Sequence, residues 1–366
     1  MHWSLFAFAG VALIGAHVLR LPVAGGRIGA IGAFLGGLLL AVFAVKGIAA
    51  VSDIGRTTDF DKMVNAAVAE ARQDDRPLIV FTGASYSRNA LDPERLTIAL
   101  NEAGYGYRAI NLSIEAASVI ERDAHLQQFM EQSGRVPEIV FVEVAQAFDY
   151  RVAFIFGNSK FNARAIEQFD LRTSAWTGLG LAGGACGTKT DCIKDTGFLG
   201  LHAALNFFNV GLIGRGERAE DAGTLQSYDA QFEPRRESDP ALAAEILPVK
   251  EMPVPQWIRS YRGILRDALI ERGVRTVGYY QPPVLAPEQR MYAQSLCEFE
   301  LAGQACLHPN DPDLLEPLNR PLWLDPGHLL DDGAEIYTRW LADELIESGV
   351  LVGPQAGAVV SAEAAQ

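Results

Sequence analysis

The sequence has little positive charge, few cysteines and no visible internal repeat. Its 366 residues include 31 lysines and arginines against 45 aspartates and glutamates, so the formal net charge is −14. A chain this acidic repels the phosphate backbone of nucleic acids. The composition therefore argues against DNA or RNA as a partner.

The four cysteines lie as two close pairs, Cys186 with Cys192 and Cys297 with Cys306. Neither pair has the C-x-x-C spacing of a zinc site, and only His308 lies near either of them. No metal site is predicted. An even number of cysteines in local pairs indicates two small-loop disulfides and an oxidising compartment.

Charged residues are also missing from two stretches near the start of the chain. Leu5–Leu19 and Ile28–Val45 are almost wholly apolar, and each is close to the minimum of about 17 residues for a membrane span. We expect two transmembrane helices within residues 1–50. A cleaved signal peptide is the alternative, but the two arginines that separate the apolar stretches, Arg20 and Arg27, fit it poorly.

The charge of the connector sets the expected orientation. Arg20 and Arg27 favour a cytoplasmic connector, which places both chain termini outside. The cysteine pairs favour the same side for the rest of the chain. We therefore expect a domain anchored in the inner (plasma) membrane that faces the periplasm or the cell exterior.

Residues 61–144 alternate between helical and strand patterns with short connections, which predicts a parallel sheet with helices on both faces. The predicted strands are Leu78–Phe81, Tyr107–Leu112 and Pro137–Val144, and the predicted helices are Asp61–Gln73, Pro93–Ala103 (capped by Asp92) and Val119–Gln132.

The second half of the chain begins less regularly. Residues 145–255 are interpreted as an insertion over the carboxyl edge of the sheet, with a helix at Phe198–Val210. The insertion belongs to a domain that spans residues 51–350, and residues 351–366 are expected to be a disordered tail. Later predicted elements are the helix Ile258–Arg272, the strand Val274–Tyr280 and the helix Gly333–Glu347.

Ser85 follows the first predicted strand within Gly83–Ser87. A glycine after a buried strand permits a sharp turn that presents the next side chains at the carboxyl edge of the sheet. This placement suits a nucleophile. The alternative is a simple turn in which Ser85 or Ser87 caps the next helix.

Asp325-x-x-His328 precedes the last predicted helix. A serine nucleophile needs a base, and the base needs a carboxylate that fixes its tautomer. Residues three apart on a turn can point the same way, so Asp325 is placed to orient His328. The alternative is that Asp325 only caps a turn.

Two further stretches resemble functional motifs. Backbone N–H groups in the loop Asn111–Ser118 could donate hydrogen bonds to an oxyanion, although the stretch alone favours an ordinary loop. Gly178–Gly183 matches the dinucleotide pattern G-x-G-x-x-G, but no strand precedes it. Dinucleotide binding is therefore not predicted.

Together, the early serine, the loop after the next strand and the late Asp-x-x-His resemble the SGNH (GDSL-type) hydrolase superfamily over residues 61–348, outside the insertion. The motif Gly-x-Ser-Tyr-Ser at Gly83–Ser87 is similar to that of the envelope branch of this superfamily, whose members O-acetylate alginate and cellulose. The resemblance implies a three-layer αβα, flavodoxin-like fold (SGNH hydrolase-like). It also implies that Ser85, His328 and Asp325 form the triad, with the backbone of Ser85 and Ala116 in the oxyanion hole.

The chain departs from the family pattern in three places, one of which is Ala116, where the family has a glycine in the oxyanion loop. Ala84 stands where the family has an aspartate before the nucleophile, and the third block, Gly-x-Asn-Asp, is absent. The asparagine of that block normally supplies a third oxyanion donor, and Gln146 is the only amide nearby.

The resemblance implies a membrane-anchored serine esterase or O-acyltransferase that acts on acyl esters of envelope or exported polysaccharide. No metal or organic cofactor is needed, and a membrane-bound acyltransferase is a possible partner. The alternative from another class is a non-catalytic SGNH-like scaffold or a polysaccharide-binding subunit of an envelope acylation or export complex.

Overall fold

A computed structural model describes residues 36–45, 59–114, 117, 119–144, 171–182, 188–208, 243 and 245–353. The chain divides into two compact units, one formed by Met1–Lys62 and Arg151–Asp221 and the other by Met63–Tyr150 and Ala222–Gln366. The serine, aspartate and histidine of the predicted triad all belong to the second unit.

The second unit is built on a five-stranded parallel sheet in the order β2-β1-β3-β4-β5. This is one of the common orders of doubly wound sheets, which bind ligands at the carboxyl ends of their strands. The predicted parallel α/β sheet is confirmed. Its strands are β1 (Leu78–Thr82), β2 (Arg108–Asn111), β3 (Ile139–Glu143), β4 (Thr276–Tyr280) and β5 (Cys306–Leu307).

Helices flank this sheet, and the predicted early helices are confirmed within a few residues. The Asp92 carboxylate accepts hydrogen bonds from the N–H groups of Glu94 and Arg95 at 3.0 and 3.1 Å, so it caps its helix as predicted. Besides the helical residues 36–45, the described α-helices are α1 (Asp59–Gln73), α2 (Ser85–Ala90), α3 (Pro93–Glu102), α4 (Val119–Ser133), α5 (Leu171–Ala182), α6 (Lys189–Phe208), α7 (Gln256–Glu271), α8 (Pro287–Ser295), α9 (Pro312–Leu318) and α10 (Asp331–Glu347).

Aromatic side chains form the centre of the core on one face of the sheet. The ring of Phe81 stacks on Phe141 with 5.3 Å between centroids and meets the edge of Tyr280 at 5.2 Å. Leu96 of α3 and Leu341 of α10 belong to the same buried cluster. Because fully burying each such side chain contributes about 1.5–3 kcal/mol, this cluster fixes α10 and the segment before it against the sheet.

Two details near the site differ from the prediction. Ser85 opens a short helix of its own, α2, with Ala84 as its N-cap. Asp325 and His328 lie in an antiparallel hairpin of β6 (Trp323–Asp325) and β7 (His328–Leu329), and α10 begins two residues before the predicted start. Strands of two or three residues carry too little periodicity to be recognised in a sequence.

The described residues of the first unit are almost all helical. Residues 36–45 are helical, and Phe43 contacts Phe207 of α6 with ring centroids 5.1 Å apart. Helix α6 begins nine residues before the predicted helix. Residues 178–182 of the glycine-rich motif lie in α5, so a helix stands where a dinucleotide motif requires a strand followed by a loop.

Several predictions fall on parts of the chain beyond the described residues. They concern the predicted membrane span at residues 5–19, residues 28–35 of the second span, most of the insertion at residues 145–255, and the tail from residue 354. Among the residues that the structure does describe, no helix combines the length and the apolar character needed to cross a membrane.

The predicted disulfide between Cys297 and Cys306 is confirmed. It joins a π-helical turn, Leu296–Glu300, to the edge strand β5. The partner assignment of the other predicted pair stays a prediction, because Cys186 lies outside the described residues.

Replacing both residues of this bridge, as C297S/C306S, is expected to lower the free energy of unfolding by about 2–3 kcal/mol, since the bridge restricts the unfolded chain. Urea unfolding of the full chain followed by circular dichroism measures the change. Ser348→Ala, which removes only a hydroxyl that bonds the Leu345 carbonyl and the Val350 N–H at the end of α10, serves as the control. A double variant as stable as this control would contradict the expectation.

Candidate active site

The first part of the site is Gly83–Ser87, between β1 and the first turn of α2, called the nucleophile turn after the role predicted for Ser85. Ser85 is the first residue of α2, at the carboxyl edge of the sheet, and 7% of its surface is exposed. Within the described part of the chain, its hydroxyl forms no hydrogen bond, neither to the first turn of α2 nor to His328. Attack by Ser85 would therefore require His328 to come within hydrogen-bond reach when a substrate is bound.

The second part is the β6–β7 hairpin. Asp325 Oδ1 lies 2.7 Å from His328 Nδ1 and accepts a hydrogen bond from the Gly327 N–H at 2.8 Å. When the proton is on Nδ1, Nε2 is the basic nitrogen of the ring. The pair is partly exposed, with 20% and 26% of the histidine and aspartate side chains accessible. The predicted orienting contact is present.

The electrostatics of this pair suit an orienting carboxylate. Burial by itself raises the pKa of the Asp325 carboxyl, but the hydrogen bonds from His328 and from the Gly327 N–H outweigh burial. The pKa of Asp325 is therefore lower than usual. The carboxylate is ionised at neutral pH and can stabilise an imidazolium.

An aromatic contact joins the two parts. The ring of Tyr86 meets the His328 ring edge to face, with 5.1 Å between centroids. Gly327 approaches the same tyrosine so closely that a Cβ there would overlap its ring. Since Tyr86 is the residue next to Ser85, this packing brings the histidine to the nucleophile turn although the two are separated by most of the domain's sequence.

A buried carboxylate lies under the nucleophile turn and was not predicted. Glu143, at the end of β3, accepts a hydrogen bond from the Ala84 N–H at 2.8 Å and another from the Ser87 hydroxyl. Only 1% of this glutamate is exposed. At Gly83 a Cβ would overlap both Glu143 and Ser87, so the turn tolerates no side chain at that position.

Arg122 of α4 neutralises this carboxylate. Its Nη2 lies 3.2 Å from Glu143 Oε1, and its Nη1 donates to the Glu143 carbonyl at 2.8 Å. Its Nε donates to the carbonyl of Ala117 at 3.1 Å. The guanidinium therefore connects β3 to the loop that follows β2.

That loop, Asn111–Ser118, is also tied directly to the nucleophile turn. Asn111 Nδ2 donates to the Ser87 carbonyl at 3.1 Å, and the Ile114 N–H donates to the Gly83 carbonyl at 3.2 Å. The predicted oxyanion donors Ala116 and Gln146 lie outside the described residues.

A tyrosine completes the buried polar layer. The hydroxyl of Tyr280 is buried near the side chains of Ser87 and Ser113, and within the described residues it forms no hydrogen bond. Burial raises the pKa of Tyr280, and the Glu143 carboxylate raises it further. Tyr280 is therefore a neutral phenol under the nucleophile turn at any physiological pH.

Sequence reasoning found the three triad candidates and missed the support beneath them. The available signal for Glu143 was a charged residue inside an otherwise apolar run, because a glutamate is almost never fully buried unless it is paired. Arg122 and Tyr86 gave no comparable signal, since an arginine in a helix or a tyrosine after a serine is ordinary.

Comparison of the chain with protein-family models, with curated proteins and with solved structures found no match. Across the described ranges, no three or more histidine, cysteine, aspartate or glutamate side chains are grouped so that they could hold a metal ion. The structure brings the Asp325–His328 pair next to the turn that carries Ser85, at the carboxyl edge of a parallel sheet.

Proposed function

We propose that the protein is an SGNH-type serine esterase or O-acyltransferase, with Ser85 as nucleophile, His328 as general base and acid, and Asp325 as the orienting carboxylate. The observation that carries the proposal is the 2.7 Å contact between Asp325 and His328 in a hairpin that packs against the nucleophile turn. The strand order and the position of Ser85 at the carboxyl edge agree with it.

In the proposed reaction, Ser85 Oγ attacks the acyl carbonyl carbon while its proton passes to His328 Nε2. The carbonyl oxygen becomes an oxyanion, which the Ser85 N–H stabilises, together with the predicted donors Ala116 and Gln146. The bond to the leaving alcohol then breaks, and the imidazolium returns the proton to that alcohol. Water or a sugar hydroxyl next attacks the acyl-enzyme, with His328 acting again as base, which gives hydrolysis or transfer.

The substrate and cellular setting belong to the same proposal. We take the substrates to be acyl esters of envelope or exported polysaccharide and the acyl source to be a membrane-bound acyltransferase, on the resemblance of the serine motif. The two apolar stretches within residues 1–50 favour an anchor in the inner membrane. The Cys297–Cys306 disulfide favours a domain in the periplasm or at the cell exterior.

Covalent labelling tests the proposal. The full chain is treated with a fluorophosphonate that carries a reporter, and the modified residue is located by mass spectrometry. We expect stoichiometric labelling on Ser85 in the wild type and none in Ser85→Ala. Ser348→Ala, which removes a hydroxyl bonded to the Leu345 carbonyl and the Val350 N–H at the end of α10, is the matched control and should label normally.

Two results would refute the catalytic assignment. One is a folded wild type that does not react, and the other is a Ser85→Ala variant that labels like the wild type. Either result, with function in cells retained by Ser85→Ala and His328→Ala, would support the non-catalytic scaffold instead.

A further inference from the structure

We infer that Glu143 is a positioning residue for the proposed nucleophile: its carboxylate, paired with Arg122, holds the turn on both sides of Ser85. The inference rests on the proposed function, because it assigns a role within the same site. Glu143 does not contact the reacting atoms in this arrangement. It acts on Ser85 through the two neighbours that it binds.

The first argument is the pattern of contacts. One oxygen of the carboxylate, Oε2, accepts hydrogen bonds from the backbone of Ala84 and the side chain of Ser87. These residues precede Ser85 by one and follow it by two. A single atom therefore fixes the backbone before the nucleophile and the first turn of the helix after it.

The second argument is that the turn has little local support of its own. Helix α2 has six residues, and its N-cap, Ala84, has no side chain that could accept a hydrogen bond from the first turn. A helix this short is not stable by itself. Glu143 supplies from β3 the polar contact that a capping side chain supplies elsewhere.

The third argument is the cost of keeping a carboxylate in this place. The Arg122 and Glu143 side chains are 1% and 0% exposed. Burying an ion pair is weak evidence for a gain in stability, since apolar residues of similar size often do as well. A gain in stability therefore does not explain why this pair is buried here. Holding the turn in one geometry does explain it.

The fourth argument is that the pair serves two parts of the site at once. Arg122 binds the Glu143 carboxylate and the Ala117 carbonyl. The nucleophile turn and the loop predicted to provide an oxyanion donor therefore share one buried support. Because catalysis depends on both being placed to within a fraction of an ångström, a shift of about 1 Å in such a support costs on the order of 10²-fold in rate.

The test compares kcat and KM for hydrolysis of 4-nitrophenyl acetate by the full chain. Ser87→Ala removes one of the two contacts without changing any charge, and we expect kcat to fall about 10-fold with KM unchanged. In Glu143→Gln the amide N–H₂ must face either Arg122 or the Ala84 N–H, both of which are donors, and we expect kcat to fall about 100-fold. The control is Thr97→Val, which removes a buried hydroxyl that bonds the Pro93 carbonyl and the Ala109 N–H, between α3 and β2.

A merely structural role would lower kcat only in proportion to the folded fraction, and Thr97→Val would then behave like Ser87→Ala at equal melting temperature. That result, or an unchanged kcat in both site variants, overturns the inference while the proposed function stands. If Glu143→Gln does not fold, Ser87→Ala alone decides. A wild type that neither hydrolyses the ester nor reacts with a fluorophosphonate overturns the proposed function and this inference together.

Discussion

Replacing His328 with alanine is expected to lower kcat for ester hydrolysis by about 10⁴- to 10⁶-fold, with a much smaller change in KM. The proposed base is lost, so Ser85 must attack as a neutral hydroxyl. Asp325→Asn should cost about 10⁴-fold, because an amide donates to Nδ1 and moves the imidazole proton to Nε2, where the base is needed. Steady-state hydrolysis of 4-nitrophenyl acetate by the full chain measures both effects.

The chain provides a close control for the aspartate. Asp311 also accepts a hydrogen bond from a backbone N–H two residues ahead, at 3.0 Å, and one from an aromatic ring N–H, that of Trp340, at 2.6 Å. Asp311→Asn should therefore lower stability and leave kcat unchanged. Should Asp325→Asn be as active as Asp311→Asn, the orienting role of Asp325 would be wrong.

Arg122→Met is expected to lower the free energy of unfolding by about 3–5 kcal/mol, a large share of the stability of an ordinary domain. The variant leaves the Glu143 carboxylate buried without its cation, and it removes the hydrogen bonds to the carbonyls of Glu143 and Ala117. Denaturant unfolding of the full chain at neutral pH, followed by circular dichroism, measures the loss.

A surface pair shows what removal of an arginine costs without burial. Arg339 binds Glu335 at 3.2 Å on one face of α10, with 74% and 41% of the side chains exposed. Arg339→Met should change the unfolding free energy by about 0.5 kcal/mol or less. If Arg122→Met and Arg339→Met lower the free energy of unfolding equally, the expectation that the buried pair is the more important one for stability is wrong.

The sequence was sufficient to predict the first four strands, whereas the two-residue strand β5 was not predicted. The central strands β1 and β3 are the clearest because they are apolar runs buried on both faces. The run at Leu78–Phe81 has no polar interruption, and every residue of β1 is buried in the structure. The start of α3 was equally clear, since Asp92 and Pro93 are typical of a helix N-terminus. Local patterns of this kind need no knowledge of distant contacts.

The candidate site was predictable only in its local part. Asp325 and His328 are three residues apart, so their contact follows from spacing. The contact between Ala84 and Glu143 joins residues 59 positions apart, and no pattern in either segment indicates the other. The family pattern has an aspartate at the position of Ala84, and this chain lacks it. In the structure, the carboxylate of Glu143, from β3, binds the backbone N–H of Ala84 instead.

The two outer strands of the sheet have a consequence for how the protein behaves at high concentration. An exposed strand edge invites pairing with another chain and is a common route to aggregation. Here β5 offers only two residues and is cross-linked through Cys306, and β2 begins with Arg108, which binds Glu94 and Glu70. A short, tethered strand on one side and a charged one on the other leave a neighbouring molecule little backbone with which to extend the sheet.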